Sequence, residues 1–175
     1  SVVVPLLEGH RPLLVEIQAL VTVSSLTSPR RSAQGFDQGR LALLLAVLEQ
    51  RSGLMIGPCD VYTSVVGGIR VGEPGADLGV CTAAASALTG RPASVVVCGE
   101  VGLAGELRQA SQTARRLAEA ARLGFRTAIV PRSVAMPVDG LEVIGATTIA
   151  EALHVLGLID SAEFVPRGLA PNLVR

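Results

Sequence analysis

The sequence contains no lysine, and all 15 of its basic residues are arginines. An arginine guanidinium stays protonated at any working pH, whereas a lysine amine can lose its proton and act as a base. A Ser–Lys pair, which needs a neutral amine, therefore cannot be built within this chain. The phosphate-binding motif G-x-x-x-x-G-K-[ST] is excluded for the same reason.

Aromatic residues make up only 2% of the sequence, and tryptophan is absent. Binding of single-stranded nucleic acid by stacking bases on aromatic rings is therefore excluded. The core must be built from Leu, Val, Ile and Ala, which agrees with a hydrophobic content of 49% and a charged content of 17%. The sequence predicts one globular domain over residues 1–158 and a loosely ordered tail over 159–175, where proline and glycine are frequent.

The sequence also has little that points to membranes, secretion or metals. Net charge is zero, no apolar run reaches the ~18 residues of a membrane span, and the start lacks a secretory pattern. We therefore expect a cytoplasmic protein. Cys59, Cys81 and Cys98 are widely spaced without a CxxC pair, so we expect small buried side chains. His10 and His154 are expected at a turn and on a helix surface, and neither has the partners of a metal ligand.

Strand and helix patterns alternate along the chain, which predicts an α+β (mixed α/β) fold. Apolar strands at 2–7 and 13–23 flank a Gly-His-Arg-Pro turn and predict an N-terminal β-hairpin. Asp37 is the expected cap of the first helix, and Arg30 to Phe36 is expected only to precede it. Further strands are predicted at 60–66, 69–71, 94–98, 127–130 and 140–144, a strand–turn–strand at 100–108, and helices at 76–88, before Gly124 and at 149–156.

Four stretches occur in an order that matches a known family. They are PLLVEIQALV at 12–21, PRRSAQGFDQGRLALLLAVLEQRSG at 29–53, VGGIRVGEPGADLGV at 66–80, and GEVGLAGELR with LGFRTAIVP at 99–131. Together they resemble the carboxy-terminal domain of the bacterial RadA family of DNA repair and recombination ATPases. That domain is similar to the proteolytic domain of Lon. The resemblance covers residues 2 to about 158 and implies a Lon-like fold, with a hairpin and a mixed sheet packed by about four helices.

The resemblance also implies that this domain is catalytically inactive. Where Lon carries a serine nucleophile after a Gly-Pro pair, this sequence has Glu73-Pro74 followed by Gly75, and the Lon lysine aligns near Ala114. We therefore expect no catalytic residue, cofactor or metal in this chain, and ATP, Mg and Zn would belong to upstream domains of a parent ATPase. Two alternatives stay open: a Lon-family serine hydrolase with an unrecognised active site, and the Lon-like domain of a ComM-type helicase.

The resemblance further implies a hexameric ring that acts in homologous recombination and branch migration on single-stranded or branched DNA. Arg30 and Arg31 stand side by side with few acids nearby. Arg40 lies near a helix start, where a cation is unfavourable by about 0.3–1 kcal/mol and should have Asp37 or a phosphate as partner. These three arginines are the predicted contacts to the DNA backbone, without sequence preference. Alternatively, Arg30 and Arg31 bridge subunits through carboxylates such as Glu73 or Glu100.

A second group of arginines lies around the helix before Gly124. Arg115, Arg116, Arg122 and Arg126 belong to it, and Glu119 is four residues after Arg115 and three before Arg122. Such spacing favours ion pairs along a solvated helix face. The sequence therefore gives this group less weight as a DNA contact than the first one.

Overall fold

Nine strands and four α-helices are found in residues 2–160, the part of the chain that the computed structural model describes. The strands are β1 (Val2–Glu8), β2 (Arg11–Val23), β3 (Arg31–Gln34), β4 (Cys59–Val65), β5 (Val95–Val97), β6 (Glu100–Val101), β7 (Leu107–Arg108), β8 (Thr127–Pro131) and β9 (Glu142–Ala146). The helices are α1 (Gln38–Ser52), α2 (Asp77–Thr89), α3 (Thr113–Arg122) and α4 (Ile149–Val155). Two 3₁₀ turns, at Pro74–Ala76 and Arg132–Val134, complete the set.

Seven strands form one mixed sheet in the order β3-β4-β2-β1-β5-β8-β9, and β6 pairs with β7 in a small separate hairpin. Within the large sheet, β2 runs antiparallel to β1 and β4, and all other neighbours are parallel. The predicted N-terminal hairpin is confirmed, with Val2 opposite Ile17 and Glu8 opposite Arg11. The predicted α+β, mixed α/β class is confirmed as well.

Strands β1, β5 and β8 are almost entirely apolar because the sheet buries both of its faces there. Side chains alternate between the faces: Val2 and Val4 of β1 belong to one core, and Val3 to the other. The first core also receives residues from α1, α2 and α4. The second core is covered by α3 through Leu117 and Ala120. Helix α3 therefore lies on the opposite side of the sheet from the other three helices.

Two details of the predicted strands are wrong. Residues 31–34 form the edge strand β3, whose outer side is capped by Gln38: its Oε1 accepts from the Ala33 N–H at 3.3 Å, and its Nε2 donates to the Arg31 carbonyl. Residues 69–71 form no strand, because Gly67 and Gly68 both have positive φ and turn the chain away. The Val71 N–H instead donates to the Gly35 carbonyl at 2.6 Å.

The predicted helix ends are confirmed where the sequence carries clear capping residues. The Asp37 carboxylate accepts the Arg40 N–H at 2.7 Å and caps α1, and Gly53 ends that helix in the left-handed region. Thr148 caps α4 in the same way. The three cysteines are buried and free, as predicted. No helix within residues 2–160 is long and apolar enough to cross a membrane.

The predicted tail over 159–175 falls mostly on residues 161–175, which lie outside the described residues. Of the part that is described, Ile159 is partly buried against the first core.

Candidate functional site

Gly75 lies in the 3₁₀ turn that leads into α2, at the position that the resemblance aligns with the Lon nucleophile. A β-carbon built on this buried glycine would lie 2.9 Å from the Ala110 Cβ and 3.8 Å from both Arg116 Nη1 and Cys98 Sγ. A carbon–carbon contact under 3.0 Å forces one of the two groups to move. The space that a serine side chain would need is therefore taken by the loop before α3.

Arg116 fills the interior beside Gly75 and is fully buried. Its guanidinium binds both carboxylate oxygens of Glu73 at 2.7 Å, and it also donates to the Pro5 carbonyl at 2.6 Å and the Ser111 carbonyl at 2.7 Å. Glu73 accepts the Leu7 N–H as well, at 3.2 Å. This network joins α3, β1 and the segment before α2, with the geometry that a buried ion pair needs to offset its desolvation.

The interpretation of Arg116 as part of a solvated helix face is wrong. Thr113, Arg116, Leu117 and Ala120 share the buried side of α3, as their 3–4-residue spacing requires. Burial alone would lower the pKa of Arg116, but the bonds to Glu73 raise it above its ordinary value. The charged group beside Gly75 is thus a permanent cation, which cannot take a proton from a nucleophile.

Arg40 holds the buried carboxylate of Asp77, and this junction ties α1 to α2 and to the β6–β7 hairpin. Its guanidinium donates to both Asp77 oxygens, with Nε 3.0 Å from Oδ1, and to the Val101 carbonyl at 3.2 Å. Asp77 also accepts the Val101 N–H at 3.1 Å. Burial raises the pKa of Asp77 although Arg40 opposes the shift, and the bond to Asp77 raises the pKa of Arg40.

The expected partner of Arg40 was Asp37 or a phosphate, and the structure corrects this point. Asp37 binds the Arg40 backbone N–H as a helix cap, whereas the Arg40 side chain binds Asp77 on α2. Sequence spacing could not reveal this pair, because its members are 37 residues apart.

Arg31 and Arg30 lie at the start of β3 in very different surroundings. The half-buried Arg31 guanidinium donates to two carbonyls of the loop before β4, those of Ile56 (3.3 Å) and Gly57 (3.1 Å), and to the carbonyl of Cys59, the first residue of β4. The Arg30 side chain is exposed, and its backbone N–H donates to Asp60 at 2.7 Å. That bond, more than the neighbouring guanidinium charges, lowers the pKa of Asp60.

Of the three arginines predicted to contact DNA, only Arg30 thus presents an exposed side chain without an ion pair among residues 2–160. The structure does not bring the three together on one free surface, and their assignment to DNA stays a prediction. The alternative partner Glu73 is already bound by Arg116. The other suggested partner, Glu100, has its Oε1 atom 4.0 Å from Nη1 of Arg108.

A cavity of about 270 Å³ lies beside the Arg40–Asp77 pair. Its walls are mostly apolar, and its polar lining consists of Asp37, Arg40, Glu73 and Asp77, each of which has a partner described above. It contains no pairing of a nucleophile with a base. Within the described part of the chain, no group of three His, Cys, Asp or Glu residues is arranged to hold a metal ion.

No family model matches the chain. It is similar to curated proteins named DNA repair protein RadA, including those of three organisms. The identity is 45% over 89% of the chain for the Aquifex aeolicus protein, 50% over 85% for that of Salmonella typhimurium, and 45% over 85% for that of Bacillus subtilis. The chain covers 36%, 33% and 33% of these relatives, so it spans about a third of their length. The resemblance to bacterial RadA is confirmed.

Proposed function

The chain is a relative of the DNA repair protein RadA, and from this premise we propose that it is a catalytically inactive, Lon-like domain of a DNA repair and recombination ATPase. In this role it holds subunits of a ring together and contacts the DNA backbone without sequence preference. ATP binding and hydrolysis, with their Mg and Zn requirements, belong to other parts of the parent protein.

The observation that carries this proposal is that a nucleophile and a base are both missing at this place. A glycine, which has no side chain, and a permanently charged arginine lie there instead. Gly75 offers no nucleophile, and Arg116 beside it offers no base. Lysine is absent from the sequence, so another Ser–Lys pair is not available elsewhere. Cys98, also close to Gly75, is a poor nucleophile, because burial raises the pKa of its thiol to about 11.

The surface and the charge of the chain bear on the ring and its DNA contact. Several large apolar side chains stay on the surface, including Leu20 at 62% and Val23 at 82% exposure at the far end of β2. These two residues are three apart on one strand and so face opposite sides of the sheet, where a neighbouring subunit could cover each of them. A chain of zero net charge would bind DNA weakly alone, but a ring repeats each contact around its axis and gains avidity.

Two measurements on the purified chain test the proposal. Light scattering should give the mass of an assembly, with a hexamer as the expected state, and fluorescence anisotropy should detect salt-sensitive binding to single-stranded oligonucleotides of unrelated sequence. A monomer that binds no DNA at low salt contradicts the proposal.

A casein assay separates the hydrolase alternative. We expect no turnover by the chain. We also expect none from G75S combined with A114K, because the new serine would clash with Ala110 and Arg116 would remain in place. Turnover by the unmodified chain that a single internal Ser→Ala change abolishes would instead establish a Lon-family hydrolase.

A further inference from the structure

The exposed side of α3 carries arginines that the buried core does not use. Arg115 and Arg122 are both exposed and lie seven residues apart, on the side of the helix that faces away from its buried residues. Two helical turns separate them by about 10 Å along the axis. The same element that supplies Arg116 to the interior therefore presents two guanidinium groups to solvent.

The β1–β2 turn and the segment after α3 extend this surface. Arg115 Nη1 donates to the His10 carbonyl at 3.3 Å, which places the turn beside the start of α3. Arg11 follows in the same turn and acts electrostatically on Glu119. Arg126 lies just beyond the helix, exposed, before β8 begins. We refer to Arg11, Arg115, Arg122 and Arg126 as the α3 basic face.

Most guanidinium groups of the α3 basic face have no ion pair. Arg122 binds Glu119, with N–O distances of 2.6 and 2.8 Å, whereas Arg11, Arg115 and Arg126 have no carboxylate within ion-pair distance among residues 2–160. Acidic neighbours do exist: Glu8 faces Arg11 across the hairpin and Glu142 lies next to Arg126 in the sheet register. Neither forms an ion pair with these arginines.

Of the five exposed arginines elsewhere in residues 2–160, three have a carboxylate partner, whereas Arg30 and Arg70 have none. Arg91 pairs with Asp160 at 3.1 Å, Arg108 with Glu106 at 2.6 Å, and Arg132 with Glu151. Three of the five exposed arginines without an ion pair in this part of the chain therefore belong to the α3 basic face, and Arg115 there makes only one bond, to a carbonyl. A free guanidinium presents a planar set of N–H donors that matches two phosphate oxygens, and it remains charged at every working pH.

We propose that the α3 basic face binds the phosphodiester backbone of DNA and is the main nucleic-acid contact of this chain. This inference rests on the proposed function and specifies where its DNA contact lies. Arg31 and Arg40 are occupied by carbonyls and Asp77, so they are less suited to that role than the sequence predicts.

The fold prepares this face for binding. Arg116 fixes α3 to β1 and to the segment before α2 through its bonds to Pro5 and Glu73. The helix therefore presents Arg115 and Arg122 from a rigid support, and binding orders only the arginine side chains. Within residues 2–160, the partly buried Phe125 is the only aromatic residue near the face, so contacts to phosphate are expected, with no preference for base sequence.

The test compares two triple variants of the whole chain. R11Q/R115Q/R126Q removes the unpaired arginines of the face, and R91Q/R108Q/R132Q removes the same number of positive charges from exposed arginines that have carboxylate partners. Binding of a thymidine homo-oligonucleotide is measured by fluorescence anisotropy over a range of salt concentrations. Melting temperature and light scattering establish that each variant is folded and assembled.

We expect the first variant to bind more weakly and to lose about 0.7 of the slope of log K against log salt per lost contact, roughly two in all. The control variant should keep the wild-type slope. If both variants lose slope equally, or if the first loses its assembly instead, the face is not the DNA contact. If R11Q/R115Q/R126Q binds DNA as tightly as the wild type, this inference is wrong and the proposed function is unaffected. If the wild-type chain itself binds no DNA, both the inference and the proposed DNA contact are wrong.

Discussion

Arg116 is the residue on which most of the interior around Gly75 depends. It is fully buried, and its guanidinium makes bonds to one carboxylate and two carbonyls. A buried charge of this kind contributes little net stability as a pair, but loss of one partner leaves the other charge and the carbonyls without compensation.

We therefore expect R116M to lower the free energy of unfolding by about 3–5 kcal/mol. The double variant R116M/E73M should recover much of that loss, because neither charge then remains in the interior. R122M is the matched control, since Arg122 on the same helix forms an exposed pair with Glu119 that is worth at most about 1 kcal/mol. Urea unfolding monitored by circular dichroism measures all three. Equal losses for R116M and R122M would contradict the structural role of Arg116.

Arg30 and Arg31 are adjacent, yet the structure gives them different roles. Arg31 binds three carbonyls in the loop before β4 and at the start of that strand, and the Arg30 side chain is exposed to solvent. We expect R31A to lower the free energy of unfolding by about 1.5–3 kcal/mol, as for lost bonds to a charged group. R30A should stay within about 0.5 kcal/mol of wild type. The same urea titration compares them, and a loss for R30A as large as that for R31A would disagree with this description.

At the scale of elements, α4 depends on its capping residues because it is short. The Thr148 hydroxyl accepts the Glu151 N–H at 3.1 Å, and Glu151 in turn accepts the Thr147 N–H and hydroxyl at 2.7 Å each. Arg132 adds an ion pair. The bond from the Thr147 N–H, followed by these other contacts, lowers the pKa of Glu151 below its ordinary value of 4.5.

This shift predicts how α4 responds to pH. A carboxylate whose pKa is lowered by folding stabilises the protein above its ordinary pKa, and that stabilisation is lost as the pH falls through the folded-state value. We expect wild type to be more stable than E151Q at neutral pH, with a difference that shrinks on acidification below pH 4.5. Urea unfolding at several pH values measures the difference. A gap between the two proteins that stays constant down to acid pH would contradict the assigned pKa shift.

Elements with local signals in the sequence could be predicted, and those fixed by distant contacts could not. The hairpin and the helix caps depend on neighbouring residues, such as Asp37 and Gly53, and they were predicted correctly. The edge strand β3 is too short to show a pattern and depends on the side chain of Gln38. The 3–4-residue spacing of Arg116 with Leu117 and Ala120 could have shown that it faces inward, but its charge argued for the surface.

The site follows the same rule. The sequence itself shows that lysine is absent and that residue 75 is a glycine. The partners of the arginines are set by the tertiary fold. Asp77 on α2 binds Arg40 on α1, and Glu73, before α2, binds Arg116 on α3. The number of acidic residues near an arginine in the sequence therefore does not show which arginines lack an ion pair in the fold.

At the scale of the whole molecule, DNA binding should depend on strand length more than on sequence. The chain has zero net charge and almost no aromatic residues, so a single subunit offers only a few phosphate contacts. If subunits form a ring, a strand that reaches several copies of the α3 basic face makes its later contacts at high effective concentration.

We therefore expect an oligonucleotide long enough to contact several subunits to bind about 10²-fold more tightly than one that reaches a single subunit. Thymidine and mixed-sequence strands of equal length should bind alike, since phosphates carry no sequence information. Anisotropy titrations with a length series measure this, and the R11Q/R115Q/R126Q variant should lose most of the length dependence. A longer strand also offers more positions at which one subunit can bind. An affinity that rises only in proportion to that number of positions would show that each subunit binds DNA independently and that a ring adds no avidity.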